Sequence, residues 1–307
     1  MPSILAALAP IFLLILCGYG LRRSGLFGEA FWAEADRLVF LVLFPVYLVL
    51  HIGTADLAGL ALAPMALGLL AGLVAMSVLA AALRPAFRVD GPAFASIFQG
   101  SMRPNTYVAF AAAEALFGAT GSVLAAIAVA VCTPAVNVLA VLALARWGRN
   151  GNAGGWRMAL RTMARNPIIL AVAAGLLINA AGIGLPPVID DMMAIVARAT
   201  LPMALLSVGA GLQFRAAGNA GGPVAAAAIL KLLGLPALTW AACAAFGAEG
   251  LPLTVAVMFA ALPNSPTSYS MTRQLGGDHI LMAAIITATT FAAMATMPAV
   301  LMALGAG

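Results

Sequence analysis

The sequence predicts an all-α integral membrane protein of ten transmembrane helices, arranged as two inverted five-helix repeats. Three observations predict it. Hydrophobic residues fill 64% of the 307 positions and charged residues 8%, with mean hydropathy +1.08, against about 25% charged in a soluble domain. The apolar stretches run roughly 20 residues, the length that crosses about 30 Å of hydrocarbon as a helix, and a helix satisfies its own backbone in lipid where an open sheet does not. The chain also repeats its punctuation at an offset of 157: Pro10 with Pro167, Gly18 with Gly175, Gly25 with Gly182 and Pro45 with Pro202. Farther on, Pro104-Asn105 recurs as Pro263-Asn264, Gly118 as Gly277, and Pro134-Ala135-Val136 as Pro298-Ala299-Val300. Because Pro breaks helices and Gly lets them approach closely, matched positions imply a shared backbone plan.

The ten spans begin near Leu5, Leu38, Leu57, Pro92, Ser122, Pro167, Met192, Pro223, Leu251 and Ile280. No Lys or Arg precedes the first, and Arg22 and Arg23 follow it, the reverse of a cleaved signal, so it is expected to be a span. With the N-terminus outside, the inner loops hold Arg22, Arg23, Arg37, Arg84, Arg88, Arg146, Arg149, Arg157, Arg161, Arg165, Arg215 and Arg273, while the outer loops hold Asp56, Asp190, Asp191 and Glu249. The positive-inside rule then puts both termini outside and accounts for the net charge of +5 without nucleic acid. Residues 1–146 form the first repeat, 147–166 a cytoplasmic basic linker and 167–307 the second repeat. Within the linker, Gly148 to Gly155 is a flexible run and Trp156 to Arg165 a short basic interfacial helix, most simply a solvated connector. An odd number of spans per half forces the halves into opposite orientations, the arrangement of secondary transporters. Cys17, Cys132 and Cys243 sit in apolar stretches without ligand spacing, so packing residues are expected and neither disulfide, metal nor cofactor is implied.

Two spans carry an interruption. The fourth meets Arg103-Pro104-Asn105-Thr106 and the ninth meets Pro263-Asn264-Ser265-Pro266-Thr267, each about 14 residues in and therefore near the midplane. Proline removes a backbone bond, and Asn, Ser and Thr cap the start of a new helix, with Pro266 suited to a first helical position. Each span is expected to be two half-helices whose free N–H groups and positive dipole end hold an anion. Pro45 and Pro202 lack polar neighbours and are expected to be structural kinks.

Arg103, beside the first break, calls for a carboxylate, either an anionic substrate or Glu114. Lys231 and Arg198 either add to the anion field or snorkel to the interface. Glu114 is the one acidic residue well within a span, so paired carboxylates for cation coupling are lacking. His51 and His279 lie at span ends, as interfacial residues more readily than as a proton relay.

Across its whole length the chain resembles the auxin efflux carrier family of the bile, arsenite and riboflavin transporter superfamily. The likeness rests on Pro10 to Gly18 with Gly20-Leu21-Arg22-Arg23, Leu43-Phe44-Pro45, Arg103-Pro104-Asn105-Thr106-Tyr107, Pro134-Ala135-Val136-Asn137, and Tyr269 with Arg273-Gln274-Leu275-Gly276-Gly277-Asp278. It continues through Thr289-Thr290 and Met297-Pro298. The resemblance implies that spans 1, 2, 6 and 7 form a scaffold and spans 3–5 and 8–10 a transport domain, whose broken helices cross at Pro104, Asn105, Pro263 and Asn264 and which moves as an elevator. It further implies a homodimer in the bacterial inner membrane. Asn264-Ser265-Pro266 departs from the commoner bacterial pattern of small residues.

These readings converge on a carrier of small organic anions, mono- or dicarboxylates of auxin or malonate type, bound by Arg103, Asn105, Thr106, Tyr107, Asn264, Ser265 and Thr267 at the crossover of Pro104, Pro263 and Pro266, with Glu114 and Lys231 as coupling or charge-field residues. A coupling ion, H+ or Na+ or none, stays open. The alternative is a Na+-coupled organic solute symporter of the bile-acid type. Enzyme chemistry is disfavoured for want of His, Cys or acidic clusters and phosphate loops, and a sensor for want of a signalling domain.

Overall fold

The structure, a computed structural model, describes residues 4–55, 62–149, 166–182, 184–214 and 221–305. Asp56, Gly151 to Gly155, the basic stretch Trp156 to Arg165, and Arg215 lie outside the described residues. Besides the single turn Arg84–Phe87, the helices in chain order are α1 (Ile4–Arg23), α2 (Glu29–Gly53), α3 (Leu62–Ala82), α4 (Gly91–Gly100), α5 (Thr106–Trp147), α6 (Pro167–Ala181), α7 (Pro187–Ala210), α8 (Gly221–Ala245), α9 (Gly250–Ala260), α10 (Thr267–Gln274) and α11 (His279–Ala303). Among the described residues seven helices, α1, α2, α3, α5, α7, α8 and α11, are long and apolar enough to cross a membrane. The chain is a multi-pass membrane protein.

Helix α5 is two helices joined without a loop. At Gly118 the backbone turns through φ 61° and ψ −150°, a conformation that a side chain makes costly. The fourth and fifth expected spans therefore meet here, four positions before Ser122. Helix α2 likewise starts well before Leu38, at Glu29. Its first turns bury Trp32 and Ala35 while Glu34, Asp36 and Arg37 face outward, so the apolar run alone understated the helix.

Two helices contain a π-turn, Val39–Leu43 in α2 and Leu230–Gly234 in α8, and a proline, Pro45 or Pro236, stands two residues past the end of each turn. Proline gives no N–H to the carbonyl four residues back and its ring presses on that carbonyl, so the turn widens. Thr200, two residues before Pro202, donates its hydroxyl to Leu43 O at 3.0 Å and ties the two Pro-bearing helices together.

The offset of 157 appears in three dimensions as contacts made twice. Arg22 Nη1 donates to Ala210 O at 2.6 Å, and Asn179 Nδ2, its counterpart 157 positions on, donates to Gly53 O and Ala55 O at 3.4 and 2.6 Å. Each side chain satisfies leftover carbonyls at the end of a long helix. Helix α1 lies along α7 with Gly18 against Leu206, and α6 lies along the second half of α2 with Gly175 against Ile52. Helix α3 lies along α8, where Gly68 meets Cys243 and Gly72 meets Thr239. Cys132 and Cys243 are buried packing residues, whereas Cys17 is exposed and does not pack.

These contacts predict a sharp difference between two glycines. A Cβ on Gly209 would lie 1.8 Å from Ile15 O, whereas one on Gly20 meets nothing within 4 Å. Gly209→Ala should part α1 from α7 at a cost of about 1–3 kcal/mol, seen as a lowered melting temperature in detergent. Gly20→Ala should leave that temperature unchanged or raise it by the helix propensity gained, up to about 1 kcal/mol.

Candidate functional site

Both predicted interruptions are present, and they meet. Helix α4 stops at Gly100 and helical structure resumes at Thr106; α9 stops at Ala260 and resumes at Thr267. The segments between run antiparallel, with Pro104 opposite Asn264 and the Asn105 N–H donating to Pro263 O at 2.9 Å. Prolines 104 and 263 have no N–H to lose at this crossing, and the Asn264 N–H goes to Thr289 Oγ1 at 3.1 Å.

The helix ends left by the breaks are closed in two different ways. The amide of Asn264 donates from Nδ2 to Gly100 O at 2.8 Å, closing α4, while its Oδ1 accepts from Ser268 Oγ at 2.7 Å. Gln99 braces the same place, donating to Ser268 O and Thr272 Oγ1 at 3.1 and 3.2 Å. At the end of α9 the partner is Lys231, fully buried, whose Nζ donates to Ala260 O at 2.6 Å. A cation is well placed there, since the C-terminal end of a helix carries partial negative charge. By the offset of 159 that relates the Pro-Asn pairs, Asn105 would reach Phe259 O as Asn264 reaches Gly100 O. It does not. Lys231 serves the adjoining carbonyl instead, and Asn105 turns its Oδ1 to the Tyr107 and Val108 N–H groups at 3.1 and 3.3 Å. Its Nδ2 is buried and has no partner.

Asn105 is one of the residues around a cavity of about 340 Å³. Of the residues expected at the site, Arg103, Pro104, Asn105, Thr106, Tyr107, Ser265, Pro266 and Thr267 line it. Four expected residues do not. Pro263 and Asn264 are buried behind the crossing, with the Asn264 side chain spent on Gly100 and Ser268. Lys231 is occupied in closing α9 and neither faces the cavity nor snorkels. Glu114 is not the partner of Arg103: its carboxylate accepts from the Tyr47 hydroxyl at 2.5 Å, and Tyr47 also meets Ser122 Oγ and stacks on His51. Arg103 instead donates to Asn137 Oδ1 at 2.6 Å and points its other arm at Met271 Sδ, 3.4 Å away.

The expectation of bare backbone donors at both restarts is also corrected. Asn105 caps its own helix, and at α10 the Ser268 and Tyr269 N–H groups turn back onto Ser265 O and Pro266 O at 3.0 and 3.1 Å. Ser265 Oγ and Thr267 Oγ1 bond each other at 2.9 Å. What the cavity presents is therefore side-chain chemistry: a guanidinium, a carboxylate, amides and hydroxyls. Sequence reasoning missed Asp36 on α2, Thr133 and Asn137 on α5, Asn166 at the cap of α6, and Ser270 on α10, all on the wall. Asp36 was legible only as one charge among Glu34, Asp36 and Arg37 at an apparent span end; Asn137 stood in a motif without an assigned role.

The cavity lies to one side of the crossing. Asp36, Asn137, Asn166 and Ser270 come from the helix parts that lead to Arg22, Arg37, Arg146, Arg149 and Arg273. Tyr107, on the cavity lining, belongs to an aromatic cluster: Phe44 packs edge-on against Tyr107 and Phe110 at 5.0 and 5.2 Å, and Tyr47 against Phe110 at 5.6 Å. Phe44, Tyr47, Tyr107 and Phe110 are all buried.

Residues 156–301 match a family model described as membrane transport protein. No curated protein matches the chain.

Identical asparagines in unlike settings predict unlike effects. Asn264→Ala removes two buried hydrogen bonds and leaves Gly100 O without its donor, costing about 1–3 kcal/mol and lowering the melting temperature of the purified protein. Asn105→Asp keeps an acceptor for the Tyr107 and Val108 N–H groups and should melt as the unaltered chain does.

Proposed function

Because the chain carries the auxin efflux carrier family's domain at residues 156–301, we propose that it is a secondary carrier of small organic anions that holds its substrate beside the crossing of the two interrupted helices. One observation carries this reading: the crossing brings Arg103, Asn105 and the hydroxyls of Thr106, Ser265 and Thr267 around one small cavity. In a low-dielectric site, fixed donors of this kind replace the hydration of a carboxylate, and the forked guanidinium matches it.

The architecture supports alternating access. Ten spans in two inverted halves are favoured by the odd number per half and by the paired contacts of Arg22 and Asn179. Helices α1, α2, α6 and α7 pack among themselves as a scaffold, and the remaining helices move against it as the elevator. With both termini outside in a bacterial inner membrane, the arginine-bearing helix ends face the cytoplasm. On this reading the cavity opens toward the cytoplasm, and the conformation is the inward-facing one.

Proteoliposome uptake of radiolabelled monocarboxylates and dicarboxylates tests the reading. Arg103→Gln and Asn105→Asp should each reduce flux of the transported solute about ten- to hundredfold, the worth of a charge-assisted hydrogen bond. Flux unchanged by both substitutions overturns it.

A further inference from the structure

Among the residues lining the cavity, Arg103 and Asp36 are the charged ones. They do not pair with each other: the ion pairs among the described residues are Arg22 with Glu29 and Arg37 with Glu34. The guanidinium rests on neutral partners, Asn137 Oδ1 and Met271 Sδ. Asp36, exposed on the wall, accepts only a long bond from Ser207 Oγ at 3.4 Å. The two walls belong to different parts of the molecule, α2 for Asp36 and the segment between α4 and α5 for Arg103. Opposite charges that face one space without touching leave a gap to be bridged.

A simple anion bridges it poorly. A monocarboxylate on Arg103 leaves Asp36 uncompensated, and a dicarboxylate brings a second negative charge toward it, where repulsion is stronger than in water. A solute with separated charges of both signs satisfies both walls and leaves no net charge in the cavity. The volume of about 340 Å³ is at the small end for a ligand pocket, and the hydroxyls of Thr267 and Ser270 on its wall are suited to polar solutes.

We propose that the solute carried is a small zwitterion, its carboxylate held by Arg103 and its ammonium group facing Asp36. This rests on the carrier reading and on its carboxylate site at Arg103, and puts a net-neutral carboxylate-bearing solute in place of a simple anion. Because Asp36 and Arg103 stand on α2 and on the moving part respectively, such a solute also joins the two bodies whose relative motion would carry it.

The test is ligand-induced thermal stabilisation and calorimetric titration of the full chain with alanine, β-alanine and γ-aminobutyrate, alongside lactate and malonate as anions lacking an amine. At least one amino acid should bind about tenfold or more tightly than lactate, the chain length preferred reporting the Arg103 to Asp36 span. Asp36→Asn, isosteric and on an exposed position, should weaken that amino acid about tenfold while leaving lactate unchanged or tighter. Arg103→Gln should weaken both. Selective binding of lactate or malonate, or equal loss of amino acid and lactate binding in Asp36→Asn, overturns the zwitterion and leaves the organic-anion carrier standing. No binding by any of the five refutes the carrier reading as well.

Discussion

A carbonyl left over at the end of a half-helix inside a bilayer has no water to turn to, and the centre of this protein is arranged around two such ends. Asn264 meets the one at Gly100 and Lys231 the one at Ala260. Between them the two unwound segments bond to each other through Asn105 and Pro263. Remove either closure and a buried acceptor goes unmet; keep both, and two interruptions of the helical backbone are tolerated at membrane depth. The arrangement is satisfied without using every donor it contains.

That surplus comes from a break in symmetry. The Pro-Asn pair occurs twice, and a faithful repeat would spend both amides on helix ends. A lysine in α8 intervenes at one end only, so Asn105 has a donor to spare and Asn264 has none. A duplicated frame thus acquires an asymmetric site through one long side chain reaching a carbonyl 29 positions away in sequence. Elsewhere the frame keeps its symmetry in geometry while changing its chemistry, as where Arg22 and Asn179 close equivalent helix ends with a cation and an amide.

Much of this was legible in the residues. Proline followed by asparagine in an apolar stretch marks a break by covalent constraint, and both breaks fall where those residues stand. Arg103 was legible as a buried cation in need of a partner. The partner itself was not, because Asn137 lies 34 positions away and only packing brings it near. For the same reason two asparagines in matching motifs could not be told apart before Lys231 was placed. Asp36 hid for a different cause: neighbours of both signs made it look like an ordinary helix end in water, and only the packing of α2 sets it on the cavity wall. The meeting of spans four and five was punctuated by Gly118, yet the positive φ that makes it a sharp turn is a property of the fold.

Gly118 has one more consequence. Since no slack connection separates the two arms of α5, the restart at Thr106 and the arm holding Thr133 and Asn137 are links of a single crank. Arg103 precedes one arm and grips the other. Under the proposed motion the cargo would travel inside a clasp whose jaws keep their spacing from one face of the membrane to the other, so affinity need not be rebuilt on arrival; what changes during the journey is the wall slid past, which begins at Asp36.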